Sequence, residues 1–280
     1  MAFRRVVLAL LQVAAACLSA SAAAQDPGRD AFDAGDFAGA RAAGRSAGTG
    51  SGFSLACQAG LVIGSYIETD EEAVASLHGA IDDCARAIAM DRSRIDAFVN
   101  YAIAVAFEAK RLNNRKLAGA SRRLMEEALA RFPQSAFAHA ALAGWHASVS
   151  DQGFFAQTAL GASRDRAAAE FGEALRLEPT NFAVIYQHLR FLAAGGKKDR
   201  AEAVATAAYL AHESPPKSRF EQMLRERAAV IAAAIESGGA SSADEALKTT
   251  EPFYRIEQAH AGAPFDFPYL AQFPDAPATQ

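Results

Sequence analysis

The chain has 280 residues, of which 51% are hydrophobic, with 28 Lys and Arg against 32 Asp and Glu. This length can bury a sizeable core in one elongated domain or two compact ones. The mildly acidic balance argues against nucleic acid and against an anionic membrane surface as main partners.

Residues 1–24 predict a secretory signal peptide. Two arginines precede an apolar run from 6 to 18, and three alanines then form a small-residue cleavage site before Gln25. We therefore expect cleavage after Ala24 and a periplasmic or secreted mature protein. A lipid anchor at Cys17 is the weaker alternative, because the leucine usual upstream of that cysteine in bacterial lipoproteins is missing.

Two further cysteines, Cys57 and Cys84, remain after this leader. In an oxidising compartment a single pair of cysteines most simply forms a disulfide. The alternative is that both are small buried side chains without a bond between them.

From Asp30 to Glu236 the apolar residues follow a helical period, and no run of β-branched residues predicts a strand. Expected helix starts carry capping residues and expected ends carry proline or glycine. The starts are Thr69 with Glu72, Ser93, Asn181 and Ser218 with Glu221, and the ends are Pro133, Pro179, Gly195-Gly196 and Pro215-Pro216.

One pattern recurs in five expected helices: a small residue, a central residue four positions later, and an alanine three positions after that. Residues at this spacing lie on one face, so a second helix can pack closely against it. The five occurrences are Ala40-Gly44-Ala47, Ala80-Cys84-Ala87, Ser121-Met125-Ala128, Ala167-Phe171-Ala174 and Ala201-Ala205-Ala208. Pro133 and Pro179 each follow the last alanine of their pattern by five residues.

This combination resembles the tetratricopeptide repeat (TPR), a helical hairpin with a small residue, an aromatic residue and a proline at such offsets. Residues 35–40 (GDFAGA) resemble the turn and second-helix start of one unit, and Ala59-Gly60, Leu142-Ala143 and residues 182–192 resemble first helices. Most spacings exceed the 34 residues of the family, so we expect longer inter-helix loops, such as 150–163.

The resemblance implies an all-α fold, a right-handed α-solenoid of about four to five TPR-like hairpins over residues 25–216. Residues 217–236 predict an amphipathic capping helix. Within the remaining 237–280, SGGASS predicts a flexible link, and an extended tail that lies along the helices follows it. The tail interleaves prolines with six aromatic residues: Phe253, Tyr254, Phe265, Phe267, Tyr269 and Phe273.

The sequence contains no recognisable catalytic motif, so we expect no enzymatic activity, no cofactor and no metal. His139 and His146 are seven residues apart and share a helix face, but no Cys/His cluster or HExxH motif accompanies them. We assign packing roles to these two and to His188 and His212. Residues 48–52 (GTGSG) follow a helix rather than a strand and predict a hairpin link.

In the TPR family the first helices line a groove that holds partner segments. The resemblance implies the groove residues Cys57, Leu61, Val99, Asn100, Ile103, Phe107, Phe137, Ala140, Ala141 and Gly144. Asn100 alone resembles one member of the set with which some TPR domains clamp a C-terminal carboxylate. The alternative is that these residues are simply buried, by neighbouring helices or by the tail.

Two functions follow as hypotheses. The first is a non-enzymatic protein-binding or scaffold protein of the bacterial cell envelope, whose groove holds a protein partner. The second is a periplasmic binding protein or carrier for a small apolar ligand, with the aromatic tail as lid. Neither nucleic acid nor metal is an expected partner.

Overall fold

The computed structural model describes residues 28–259, except the side chains of 154–156, and this part of the chain is all-helical, without a strand. The predicted all-α class is thereby confirmed. The helices are α1 (Arg29–Ala34), α2 (Phe37–Ala47), α3 (Gly50–Tyr66), α4 (Asp70–Met90), α5 (Ile95–Arg111), α6 (Arg115–Arg131), α7 (Ala136–Ser150), α8 (Phe154–Leu160), α9 (Arg164–Leu177), α10 (Phe182–Ala193), α11 (Lys197–His212) and α12 (Arg219–Thr249), with a short 3-10 helix at Ile256–Gln258. The predicted signal peptide and residues 260–280 lie outside the described part.

None of these described helices combines the length and the apolar character needed to cross a membrane.

Side chains satisfy the exposed N–H groups at several helix starts. Asn181 accepts from the Val184 N–H at 3.2 Å, and Ser218 accepts from the Glu221 N–H at 3.2 Å, as predicted. Two expected caps differ. Thr69 stands at the N-cap of α4 without a side-chain cap bond, and Ser93 bonds to Asp91 instead, so that Arg94 becomes the N-cap of α5.

Small residues let consecutive helices approach closely. Ala167 and Ala174 are fully buried on α9, with Phe171 between them at 1% exposure. At the contact of α2 with α3, a Cβ added to Gly44 would lie 2.4 Å from the carbonyl oxygen of Gly52, so this crossing requires glycine. The repeated pattern therefore marks helix–helix contacts.

The pattern was wrong in register on α11. Ala201, Ala205 and Ala208 are exposed there, and the buried face consists of Ala203, Ala207 and Leu210. The alanine-rich sequence of this helix allows both registers, and the single leucine decides between them because it buries far more apolar area than an alanine.

Residues 150–163, expected to form a loop, contain the short helix α8 between α7 and α9. Arg122 of α6 fastens the end of this helix, because its Nη1 donates to the carbonyl oxygen of Leu160. The insertion leaves α7 and α9 in extensive contact with each other.

The last helix is longer than the predicted cap at 217–236. α12 continues to Thr249 through a single kink at Gly239, where φ is 66°, so the SGGASS segment is not a loose link. The helix resumes after the kink because Ala243 and Ala246 are buried on its inner face.

α12 also joins the two ends of the molecule. It packs against α10 and α11, and its first turns reach α1. The ring of Phe220 lies 6.2 Å from that of Phe32, and the Arg227 guanidinium lies 4.4 Å from the ring centre of Tyr66 at the end of α3. The last helix thus contacts the first ones.

Cys57 on α3 and Cys84 on α4 are joined by a disulfide, with their Cα atoms 5.1 Å apart. Both cysteines are fully buried. The bond ties together two consecutive helices within the largest buried cluster, which extends from α3 to α7.

Candidate binding face of the first helices

Helices α3, α5, α7 and α10 contact one another in succession. We call the surface that they share the first-helix face, defined by the residues expected to line the groove: Cys57, Leu61, Val99, Asn100, Ile103, Phe107, Phe137, Ala140, Ala141 and Gly144. The structure divides these residues into two groups. Cys57, Leu61, Val99, Asn100 and Ala140 are buried, whereas Ile103, Phe107, Phe137, Ala141 and Gly144 are half-buried.

The buried apolar members pack inside the molecule. Cys57, Leu61 and Val99 belong to the core cluster of α3 to α7, and Ala140 packs with Phe171 and Val184 in a separate cluster. For these residues, burial by neighbouring helices describes the contacts better than a binding role does.

Asn100 is the polar residue of this face. It is 7% exposed, and its side-chain amide makes no hydrogen bond to any described residue. An amide can donate two hydrogen bonds and accept two, and the polar atoms of Asn100 are not fully buried, so they can reach water or a bound partner. Asn100, Ile103 and Phe107 lie on one stripe of α5, since they are spaced by three and four residues. The stripe therefore carries an unused polar group beside apolar surface.

The chain's own C-terminal segment, residues 250–259, covers one end of the face. Phe253 is 1% exposed, and its ring centre lies 4.7 Å from that of Phe107. The Phe253 N–H donates to the carbonyl oxygen of Ser65 at 3.2 Å, and Ile256 is equally buried. Phe253 thus joins α3 to α5 as an aromatic anchor.

Gly64 makes room for this anchor. A Cβ at this position would lie 2.6 Å from a ring carbon of Phe253. Any larger residue would displace the ring or the helix that carries it.

Polar contacts hold the same segment at the C-terminal ends of the first helices. Lys110 Nζ lies 2.7 Å from Glu251 Oε1 and 3.8 Å from a carboxylate oxygen of Glu257. On α10, Arg190 donates to the Thr250 hydroxyl at 2.9 Å and to the Leu247 carbonyl at 3.0 Å. These cations lie at helix C-termini, where positive charge is favourable.

A buried ion pair stabilises α5 beneath the segment. Glu108 is fully buried and accepts from Arg111 Nη2 at 2.6 Å and Nε at 2.7 Å, and His78 Nε2 lies 3.1 Å from it. Burial alone would raise the pKa of Glu108, but the hydrogen bonds from Arg111 and His78 outweigh it and lower this pKa. The pair therefore contributes stability above the ordinary carboxyl pKa, and acid removes that contribution.

The histidines assigned to packing lie between hairpin helices or on the surface. His139 contacts Glu170 Oε2 at 2.6 Å, and His188 lies 5.4 Å from the ring of Phe171. His212 is exposed. Neither ring nitrogen of the fully buried His146 bonds to a described residue.

Burial is the main reason that the pKa of His146 falls to about 4, with the charges of Arg166 and Arg122 adding to the effect and Glu170 opposing it. Burial likewise lowers the pKa of His188. Both side chains favour the neutral form, which is consistent with packing roles.

Sequence reasoning missed an arginine–tyrosine cluster where α3, α10 and α12 meet. Arg227 stacks on Tyr66, and Arg190 lies 6.0 Å from the ring centre of Tyr186. Burial, with the neighbouring Tyr186, raises the pKa of Tyr66. The sequence pattern does not reveal this cluster, because Tyr66 is more than 100 residues from the other three members.

Within residues 28–259, no three His, Cys, Asp or Glu side chains come together as a metal site would require. Comparison of the chain with models of known protein families gives no match, and comparison with curated proteins gives none either. The candidate function therefore rests on the first-helix face.

Proposed function

We propose that this protein is a TPR-type interaction or scaffold protein of the bacterial cell envelope, without enzymatic activity, that holds an extended partner segment on its first-helix face. Five hairpins support a solenoid reading: α1–α2, α3–α4, α5–α6, α7–α9 and α10–α11, with α12 as the cap. The contacts of α3, α5, α7 and α10 in succession are those expected when hairpins stack side by side.

The observation that carries the proposal is the seating of residues 250–259 on this face. An aromatic anchor, a main-chain hydrogen bond and an ion pair hold the segment, through Phe253 and Glu251. Residues 250–259 form turns and a 3-10 helix rather than an extended strand, but the combination of a main-chain bond with side-chain contacts is one by which partner segments are also recognised. The side-chain amide of Asn100 lies two helical turns before Phe107 and bonds to no described residue. It can therefore form a further hydrogen bond to the main chain of a bound partner.

The leader pattern and the Cys57–Cys84 disulfide support an envelope location, because disulfides persist in oxidising compartments. Fractionation of cells followed by thiol labelling of the denatured protein without reductant tests this part, since both cysteines are fully buried in the folded protein. We expect an envelope fraction whose two cysteines resist labelling; a cytoplasmic protein with two free thiols would contradict it.

Site-specific photo-crosslinking in living cells tests the binding face. A Cβ on Gly144 of α7 meets no atom within 4 Å, so a photoreactive phenylalanine derivative fits there. Gly172 on α9 is helical and equally open, but it lies on a second helix and serves as the matched control. We expect a discrete protein adduct from position 144 and none from position 172.

The specificity check combines Asn100→Ala with the photoreactive residue at position 144. If this double variant folds normally by circular dichroism but no longer forms the adduct, the captured protein binds on the first-helix face. Equal adducts from positions 144 and 172, or none from either, would refute the proposed binding mode. The carrier for a small apolar ligand stays a prediction.

A further inference from the structure

A second surface feature lies on α6, the second helix of the hairpin formed by α5 and α6. It is a cleft of about 450 Å³ between α6 and the end of α8. Its described lining residues are Arg115, Lys116, Gly119, Arg122, Arg123, Ala159 and Leu160. Four of these seven side chains are cationic and none is acidic.

This concentration of positive charge is unusual for the molecule, since the whole chain carries a net charge of −4. Several arginines elsewhere are neutralised by carboxylates, as Arg41 and Arg45 are by Asp83. In the cleft, neither Arg115 nor Lys116 makes an ion pair or a side-chain hydrogen bond with any described residue. The cleft therefore attracts anions although the protein as a whole repels them.

The position of two of the cations on α6 further increases the local positive potential. Arg115 and Lys116 occupy the first turn of the 17-residue helix α6, where no acidic residue is present. Positive side chains are unfavourable there, because the helix dipole already places positive charge at that end. An anion in the cleft would offset this repulsion.

Local geometry keeps the cleft open and one of its walls fixed. Arg115, Gly119 and Arg122 follow one stripe of α6, and a Cβ on Gly119 would meet only the tip of Arg123, at 3.7 Å. Arg122 is held by the Leu160 carbonyl, by Glu126 Oε1 at 3.5 Å and by the ring of Trp145. Gly119 thus leaves an open floor beside the anchored Arg122, with Arg115 at the other end of the stripe.

We propose that this cleft binds a phosphate-bearing ligand. Its volume lies in the range of small-ligand sites, roughly 300–1,000 Å³. Guanidinium groups match phosphate oxygens in pairs, and several converging cations suit a group with more than one negative charge better than a single carboxylate. The ligand is either a soluble phosphorylated molecule or the headgroup of a phospholipid.

Calorimetric titration of the mature protein with inorganic pyrophosphate, at about 0.15 M salt to screen diffuse attraction, tests the soluble form of the ligand. We expect saturable binding that weakens at least tenfold in Arg115→Gln/Lys116→Gln. Gly119→Leu should weaken it comparably, because it fills the floor without changing any charge. Circular dichroism establishes that both variants fold.

The matched control is Lys197→Gln/Lys198→Gln, which removes the same two charges from the first turn of α11, outside the cleft. It should bind pyrophosphate as the wild type does. Equal weakening in this control would show attraction by net charge alone and would overturn the proposal, as would full binding by Gly119→Leu.

Sedimentation with vesicles of phosphatidic acid, compared with phosphatidylcholine alone, tests the headgroup form. Binding to phosphatidic acid vesicles that Arg115→Gln/Lys116→Gln abolishes, without pyrophosphate binding, would assign a lipid headgroup. Pyrophosphate binding without vesicle binding would assign a soluble ligand. A wild-type protein that binds neither probe overturns the proposal. None of these variants touches the first-helix face, so the result is independent of the partner-binding experiment.

Discussion

Removal of the disulfide should cost a predictable amount of stability. Cys57 and Cys84 are 27 residues apart in sequence, and a bond that closes a loop of this length removes about 3.5 kcal/mol of chain entropy from the unfolded state. Cys57→Ala/Cys84→Ala should lower the free energy of unfolding by about this amount. For a chain of this size, about 2–4 °C per kcal/mol corresponds to a fall in melting temperature of roughly 10 °C.

Urea unfolding at pH 7, followed by far-ultraviolet circular dichroism, measures the loss. Wild-type protein reduced with dithiothreitol is the matched comparison, because it keeps both sulfur atoms and separates loop closure from packing. We expect the reduced protein and the double alanine variant to lose similar amounts. If oxidised and reduced wild type unfold within about 1 kcal/mol of each other, the loop-closure reasoning is refuted.

Three further predictions concern single side chains. Phe253→Ala should accelerate hydrogen exchange in residues 250–258, and it should cost up to about 3–5 kcal/mol if the space stays empty; unchanged protection would contradict the docking. Glu108→Gln leaves a buried cation without its carboxylate and should cost about 3–5 kcal/mol, whereas Glu173→Gln at an exposed pair should cost under about 1 kcal/mol. Stability conferred by neutral His146 should fall as pH drops from 6.5 to 4.5, on the order of 2 kcal/mol; His146→Leu should lose this dependence, and parallel pH profiles would refute it.

The sequence was most informative where one residue type could occupy only one environment. On α9, two alanines around a phenylalanine predict the buried face, and the structure buries all three. On α11, six alanines offer several equivalent faces, so the small-residue pattern predicted a register that the structure places in solvent. Periodicity identifies a helix well, but it fixes the helix's rotation only when a large apolar residue marks one side.

Local composition also misjudged the end of the chain. The SGGASS segment predicts a link because glycine and serine are weak helix formers, but tertiary packing of Ala243 and Ala246 extends the helix through most of it. Only Gly239 departs from helical geometry. Intrinsic propensities of about 1 kcal/mol are easily outweighed by such burial.

The two proposed sites were visible in the sequence to different degrees. The family resemblance pointed to α3, α5 and α7, but it could not indicate which of their residues would be buried by neighbours. The cleft escaped prediction because its cations appear as two ordinary basic pairs, Arg115-Lys116 and Arg122-Arg123. The end of α8, a helix not predicted, supplies the facing wall of the cleft.

The seated C-terminal segment sets a condition on partner binding. A partner that uses the Phe107 end of the first-helix face must displace Phe253, so its apparent affinity falls by the fraction of molecules in which the segment is open. Each 1.4 kcal/mol needed for opening weakens binding tenfold. A partner that uses only the Asn100 end avoids this penalty. Phe253→Ala therefore separates the two modes. It strengthens the binding of a partner that uses the Phe107 end, because the segment then opens more easily, and it leaves the binding of a partner at the other end unchanged.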